Sequence, residues 1–160
     1  PRLEQLEPRE VPATLVGLTT ANTLVTFDSD TPGTAGTAVP ILGLLPTETV
    51  VGIDYRPATG QLYGVVQGAP LIGGNDGRVV VIDPATGGTT TAGGGAGVYT
   101  FDLAGTAFGV DFNPLPDLIR VTSDAGQSLR VDPDDGTVTG TDTAPVFEGT
   151  NDPANGFTNP

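Results

Sequence analysis

The chain states one pattern twice, and that repetition limits what it can fold into. Val51–Val66 (VGIDYRPATGQLYGVV) and Phe108–Ser123 (FGVDFNPLPDLIRVTS) align without a gap, pairing Gly52 with Gly109, Asp54 with Asp111, Tyr55 with Phe112, Pro57 with Pro114 and Leu62 with Ile119. A second unit follows each: Gly77–Gly88 (GRVVVIDPATGG) matches Gly126–Thr137 (GQSLRVDPDDGT), with Asp83 on Asp132, Pro84 on Pro133 and Gly87 on Gly136. The first copy carries extra residues between its two units, within Gln67–Asp76. A partial third copy lies upstream, where Leu15 and Gly17 fall on Leu62 and Gly64, and Phe27-Asp28 on Ile82-Asp83. It lacks the Gly-x-Asp-x-x-Pro half; Pro1–Ala13 (PRLEQLEPREVPA) stands there instead. The chain therefore holds about two and a half units of about 50 residues, the period of propellers and solenoids.

Within each unit the apolar residues alternate over short runs rich in Val, Ile, Thr, Tyr and Phe, bounded by Gly, Pro, Asp and Asn, which is the strand pattern. The expected strands are Leu15–Leu18, Thr23–Asp28, Thr49–Asp54, Gln61–Val66, Arg78–Asp83, Thr89–Ala92, Ala107–Phe112, Leu118–Thr122, Ser128–Asp132 and Val138–Thr141. Ala58-Thr59-Gly60 and Ala85-Thr86-Gly87 read as tight turns whose glycine supplies a positive φ. Pro57, Pro84, Pro114 and Pro133 each end a strand, because proline cannot donate to a ladder. A full repeat thus supplies four antiparallel strands, the content of one propeller blade. The Gly-x-Asp-aromatic strand is expected innermost and the Thr-rich strand outermost. Propellers close with four to eight blades, so this chain is either part of a longer one or completed by neighbouring copies.

Charge and residue usage exclude several function classes. The net charge of −13 repels phosphate backbones and argues against nucleic acid as a partner. All six basic residues are arginine, and Cys, His, Met, Trp and Lys are absent. Without His, Cys or Lys, most nucleophilic triads and Schiff-base chemistry are excluded. The lack of Met and Cys removes the readily oxidised side chains, which suits an extracellular protein. The start at Pro1 fits a processed mature chain. No apolar run is long enough to span a membrane. Gly (24) and Pro (15) are abundant, but they fall at repeat-related turns.

The string Gly52–Gly64 (GIDYRPATGQLYG) resembles a signature of a secreted bacterial family, domain of unknown function 4394. Gly105–Pro114 (GTAFGVDFNP), Asp117–Val121 (DLIRV) and Gly126–Arg130 (GQSLR) resemble it too. The resemblance covers roughly Leu15–Asp142 and implies an extracytoplasmic, propeller-like β protein with no assigned chemistry. It also implies that Gln67–Asp76 holds an insertion and that Pro160 falls short of the family's usual end.

Carboxylates are the remaining candidates for chemistry. Asp54 and Asp111 could form an acid–base pair, as in glycoside hydrolysis. Their recurrence at equivalent positions instead points to a structural task, capping backbone N–H groups at a strand end. Asp132, Asp134 and Asp135 precede Gly136 and are the candidate ligands for calcium, a hard cation that favours oxygen. Asp28-Ser29-Asp30 and Asn151-Asp152 are further oxygen-rich loops. The same groups also suit Asx turns closing hairpins. Arg56, Arg120 and Arg130 are expected to pair with aspartates across strands. Tyr55, Tyr63, Tyr99, Phe101, Phe108 and Phe112 are expected mainly in the core, with sugar stacking as the alternative. Gly93–Gly97 lacks the lysine and the strand-to-helix setting of a phosphate loop.

The organisation expected is an extended arm over 1–13, a repeat domain over 14–142 and a Pro/Asn/Gly-rich segment over 143–160. The function expected is structural: a secreted protein, not an enzyme, that polymerises with copies of itself into a filament, matrix or surface layer. Leu3, Leu6 and Val11 of the arm are the candidate assembly residues, reaching an open sheet edge of a neighbour. A secreted module for a glycan or small ligand is the alternative, and a carboxylate-based hydrolase or lyase comes third.

Overall fold

A computed structural model describes residues 13–69, 74–93 and 97–143, and every regular element among them is a β-strand. Eleven strands form three antiparallel sheets, each a simple meander. Sheet A contains β1 (Thr14–Thr19), β2 (Thr23–Asp28) and β3 (Val39–Pro40). In sheet B are β4 (Thr49–Tyr55), β5 (Leu62–Gln67), β6 (Gly77–Ile82) and β7 (Thr89–Ala92). The strands of sheet C are β8 (Phe108–Asn113), β9 (Leu118–Ser123), β10 (Ser128–Val131) and β11 (Val138–Thr141).

The ladders reproduce the sequence repeat residue by residue. Tyr55 pairs with Leu62 as Phe112 pairs with Ile119, and Leu62 with Ile82 as Ile119 with Val131. Leu15 opposite Phe27 completes the series in sheet A. Strands stop just before Pro57, Pro84, Pro114 and Pro133, as proline requires. The glycines of the two expected turns take φ of +70° (Gly60) and +75° (Gly87). Ten strands were expected and an eleventh is present: β3 closes sheet A, pairing Val39 with Leu24. Two residues ending in proline give no alternating pattern to read. The extra residues of the first repeat lie in the β5–β6 connection.

Sheet B is the middle layer. Along β5, Leu62 and Val66 pack with Leu24, Ile41 and Ile82 toward sheet A, while Tyr63 and Val65 pack with Ile119, Val121 and Leu129 toward sheet C. Successive strand residues point to opposite faces, so a strand between two sheets is apolar throughout, and Leu62–Val66 is buried without interruption. Each such side chain contributes roughly 1.5–3 kcal/mol on burial. The first strands of sheets B and C, β4 and β8, also lie side by side, so closely that a Cβ on Gly52 would overlap the Val110 side chain.

Candidate functional site

Of the charged side chains expected at functional positions, Asp54 and Arg56 lie between sheets B and C. Asp54 accepts hydrogen bonds from its neighbour Tyr55 N–H (2.8 Å) and from Phe112 N–H on β8 (2.7 Å). The recurring aspartate is thus a backbone cap that ties one sheet's first strand to the next. Its counterpart Asp111 is exposed, as is Gly109.

Arg56 forms the second tie. It follows β4, has a side chain only 11% exposed, and crosses to two turns of sheet C. Its Nε and Nη2 donate to the Asp117 carboxylate (Nη2–Oδ2 2.6 Å), and its Nη1 donates to Asp134 Oδ1 (2.6 Å) and Tyr63 Oη (3.2 Å). Tyr63 meets Phe112 edge-on at 5.3 Å beneath this contact. The Arg56 guanidinium holds the Asp117 carboxyl below the usual carboxylate range. Asp117 occupies the position of Gly60 in the repeat and takes the same left-handed backbone, φ +53°. A non-glycine residue there carries strain of about 1 kcal/mol, and its carboxylate is what Arg56 grips. The pairing of Arg56 with aspartates therefore runs between sheets and not across strands. Arg120 and Arg130 both reach Asp142, at 2.7 and 3.2 Å, on the outward side of sheet C.

Sequence reasoning missed the deepest pair. Arg78 and Glu48 are 1% and 0% exposed and form two 2.7 Å bonds, Nη2 to Oε2 and Nε to Oε1. Burial pushes the Glu48 carboxyl up, but Arg78, the Leu45 N–H and Tyr99 outweigh it, leaving its pKa below the ordinary glutamate value. The signal available was a lone acid in the apolar run Ile41–Val51 and a lone arginine opening Val79–Ile82.

Asp132, Asp134 and Asp135 share a turn but diverge in task. Asp132 Oδ1 accepts from Asp134 N–H (2.8 Å), Asp134 is held by Arg56, and Asp135 Oδ1 accepts from the Thr137 N–H and hydroxyl. Asp83 repeats the role of Asp132, accepting from Ala85 N–H and the Thr86 hydroxyl at 2.9 Å each. Among the described residues no three His, Cys, Asp or Glu side chains converge to hold a metal. Asp28 accepts from Asp30 N–H (2.8 Å) in the same turn manner. Leu3, Leu6, Val11 and Asn151-Asp152 lie outside the described residues. Of the aromatic residues, Tyr63, Phe101 and Phe112 are core and Phe108 packs against it, whereas Tyr55 is 41% exposed. No helix among the described residues is long and apolar enough to cross a membrane.

Repeated antiparallel meanders, two of them tied together by Asp54 and Arg56, define an all-β repeat protein. The chain belongs to the family described as domain of unknown function DUF4394, whose model matches residues 23–159. A comparison with curated proteins gave no match.

Proposed function

We propose that this is a secreted structural protein that self-assembles into an extracellular filament, matrix or surface layer, each four-stranded meander serving as a propeller-like blade. One observation carries the reading. The side of β8 that faces away from sheet B presents Gly109 and Asp111, both exposed, in the same register as Gly52 and Asp54, which receive β8 on β4. A glycine that admits close approach beside an aspartate that caps the incoming strand is a docking edge, and an identical chain is a natural source of another strand. The opposite end supports the same reading. The outward face of sheet A carries Leu15, Gly17, Val25 and Phe27, the counterparts of Leu62, Gly64, Val80 and Ile82, and Leu15 is 44% exposed. Apolar faces left open mark association surfaces.

Sedimentation velocity and electron microscopy of the purified chain test the proposal. Filaments or sheets are expected, and Gly109→Val is expected to abolish them while the β spectrum is retained. A chain that stays monomeric at every concentration would overturn it.

A further inference from the structure

Sheet B carries an open cavity where sheet C carries Arg56. In sheet C the groove between the β8–β9 turn and the β10–β11 turn is closed by the Arg56 guanidinium, held by Asp117 and Asp134. The repeat places Gly60 at the position of Asp117 and Ala85 at that of Asp134. Both carboxylates that grip the guanidinium are therefore replaced by residues with no side-chain polar atom. The residue upstream at the repeat position of Arg56 is Arg9, which lies outside the described residues. What remains at sheet B is a cavity of about 320 Å3, lined by Tyr55, Gly60, Gln61, Leu62, Asp83 and Thr90 among others. That is near the lower end of the ~300–1,000 Å3 span of small-molecule sites.

The lining has changed character along with the lost carboxylates. Tyr55 is 41% exposed where its counterpart Phe112 is 4% exposed, so the aromatic ring has become a wall instead of core. Gln61 stands where sheet C has Leu118, adding an amide that both donates and accepts. The Thr90 hydroxyl does the same. Asp83 is held ionised by the Ala85 N–H and the Thr86 hydroxyl, which keep its pKa below the usual carboxylate value. A carboxylate has about four lone-pair sites and two are in use, so it can accept from a ligand.

We propose that this cavity binds a neutral sugar ring, one pyranose of an uncharged glycan. An aromatic wall offers an apolar face to the C–H side of the ring. The amide, hydroxyl and carboxylate supply the mixture of donors and acceptors that vicinal hydroxyls need. Among the described residues no cation lines the cavity, and the net charge of −13 opposes anionic ligands. A guanidinium finds neither of the two carboxylates that bind it one repeat later. The site stands independently of the assembly reading, since it lies at the turn end of sheet B and involves neither β8 nor the outward face of sheet A.

Saturation-transfer NMR and calorimetry on the full chain test this, with the methyl glycosides of glucose, galactose and N-acetylglucosamine as probes and arginine methyl ester as the competing cation. At least one glycoside is expected to receive saturation and to bind with a millimolar or tighter Kd. Tyr55→Ala and Gln61→Ala are each expected to weaken it about tenfold, and Tyr55→Phe to keep most of the affinity. Both residues are at the surface, so a retained β spectrum and unfolding midpoint separate lost contact from lost fold. Absence of transfer to all three glycosides overturns the proposal. So does equal transfer in Tyr55→Ala, or binding of arginine methyl ester alone.

Discussion

Two glycines at equivalent places in the repeat meet opposite surroundings. A Cβ on Gly52 runs into Val110 on the neighbouring sheet, whereas one on Gly109 approaches only the Thr122 hydroxyl, at 2.9 Å, which can rotate away. Gly52→Ala is therefore expected to cost about 1–3 kcal/mol through overpacking, read as a lower urea midpoint at unchanged slope. Val110→Ala in the same chain should recover part of that loss, as a double-mutant cycle between touching residues shows. Gly109→Ala should stay within about 0.5 kcal/mol of the parent, as surface substitutions do. The aligned pair was legible in the sequence, and so was the need for close approach. Which copy has its neighbour was not, because identical local sequence says nothing about where the stack of sheets ends. Asp117 is the converse case: its repeat position asks for glycine, and the demand of Arg56 for a carboxylate overrides that preference.

Strands were the most legible elements, since alternation and proline stops fix them locally. The ties between strands of different sheets were hidden, because Arg56, Asp117 and Asp134 are far apart in sequence and only the fold unites them. The forked guanidinium fits a carboxylate edge that a single ammonium cannot match. Arg56→Lys is thus expected to cost about 2 kcal/mol, seen as a lower melting temperature. Asp134→Ala should cost less, about 0.5 kcal/mol, because that side chain is 72% exposed. The Glu48–Arg78 pair sets a pH dependence of its own. The folded pKa of Glu48 lies below its ordinary 4.5, so the native state favours the ionised form. Its contribution is whole above that ordinary value and fades as pH falls through the lower folded one. Asp124, held down to about 2 by the Thr106 hydroxyl and the Thr106 and Ala107 N–H groups, loses its contribution in the same direction, from 3.8 downward. Glu48→Gln should cost about 3–5 kcal/mol at neutral pH, because Arg78 is left buried and unpaired. The deficit relative to the parent should shrink below pH 4.5, which unfolding midpoints across pH would reveal.

The three sheets leave two different ends, and that difference constrains how copies can meet. Toward sheet C, sheet B presents Tyr63, Val65, Val79 and Val81; the outward face of sheet C has Arg120, Thr122, Ser128 and Arg130 at the same repeat positions. Asp142 bridges the two arginines there. Among the described residues that outward face is polar, so a copy docking there would not repeat the apolar burial between B and C. What does recur is the narrow edge formed by Gly109 and Asp111. Contact through such an edge buries little apolar surface, so charge repulsion between copies weighs heavily. With a net charge of −13 on each chain, assembly should be weak in dilute buffer and should strengthen as salt rises. Screening shortens the reach of that repulsion to about 10 Å at 0.1 M ionic strength. Light scattering across a sodium chloride series measures this, and scattering that falls with salt would contradict docking at this edge. Asp111→Asn separates the edge from the bulk charge. It removes one negative charge, which alone would help assembly, yet it replaces the carboxylate that caps an incoming N–H with a weaker neutral acceptor. If the edge carries the contact, Asp111→Asn assembles less than the parent at every salt concentration, despite its lower charge. Calcium at matched ionic strength extends the same experiment to the Asp132–Asp135 turn. A calcium response beyond that of sodium, lost in Asp132→Asn, would assign those carboxylates to an ion; equal responses would leave them as turn caps and as the anchor for Arg56.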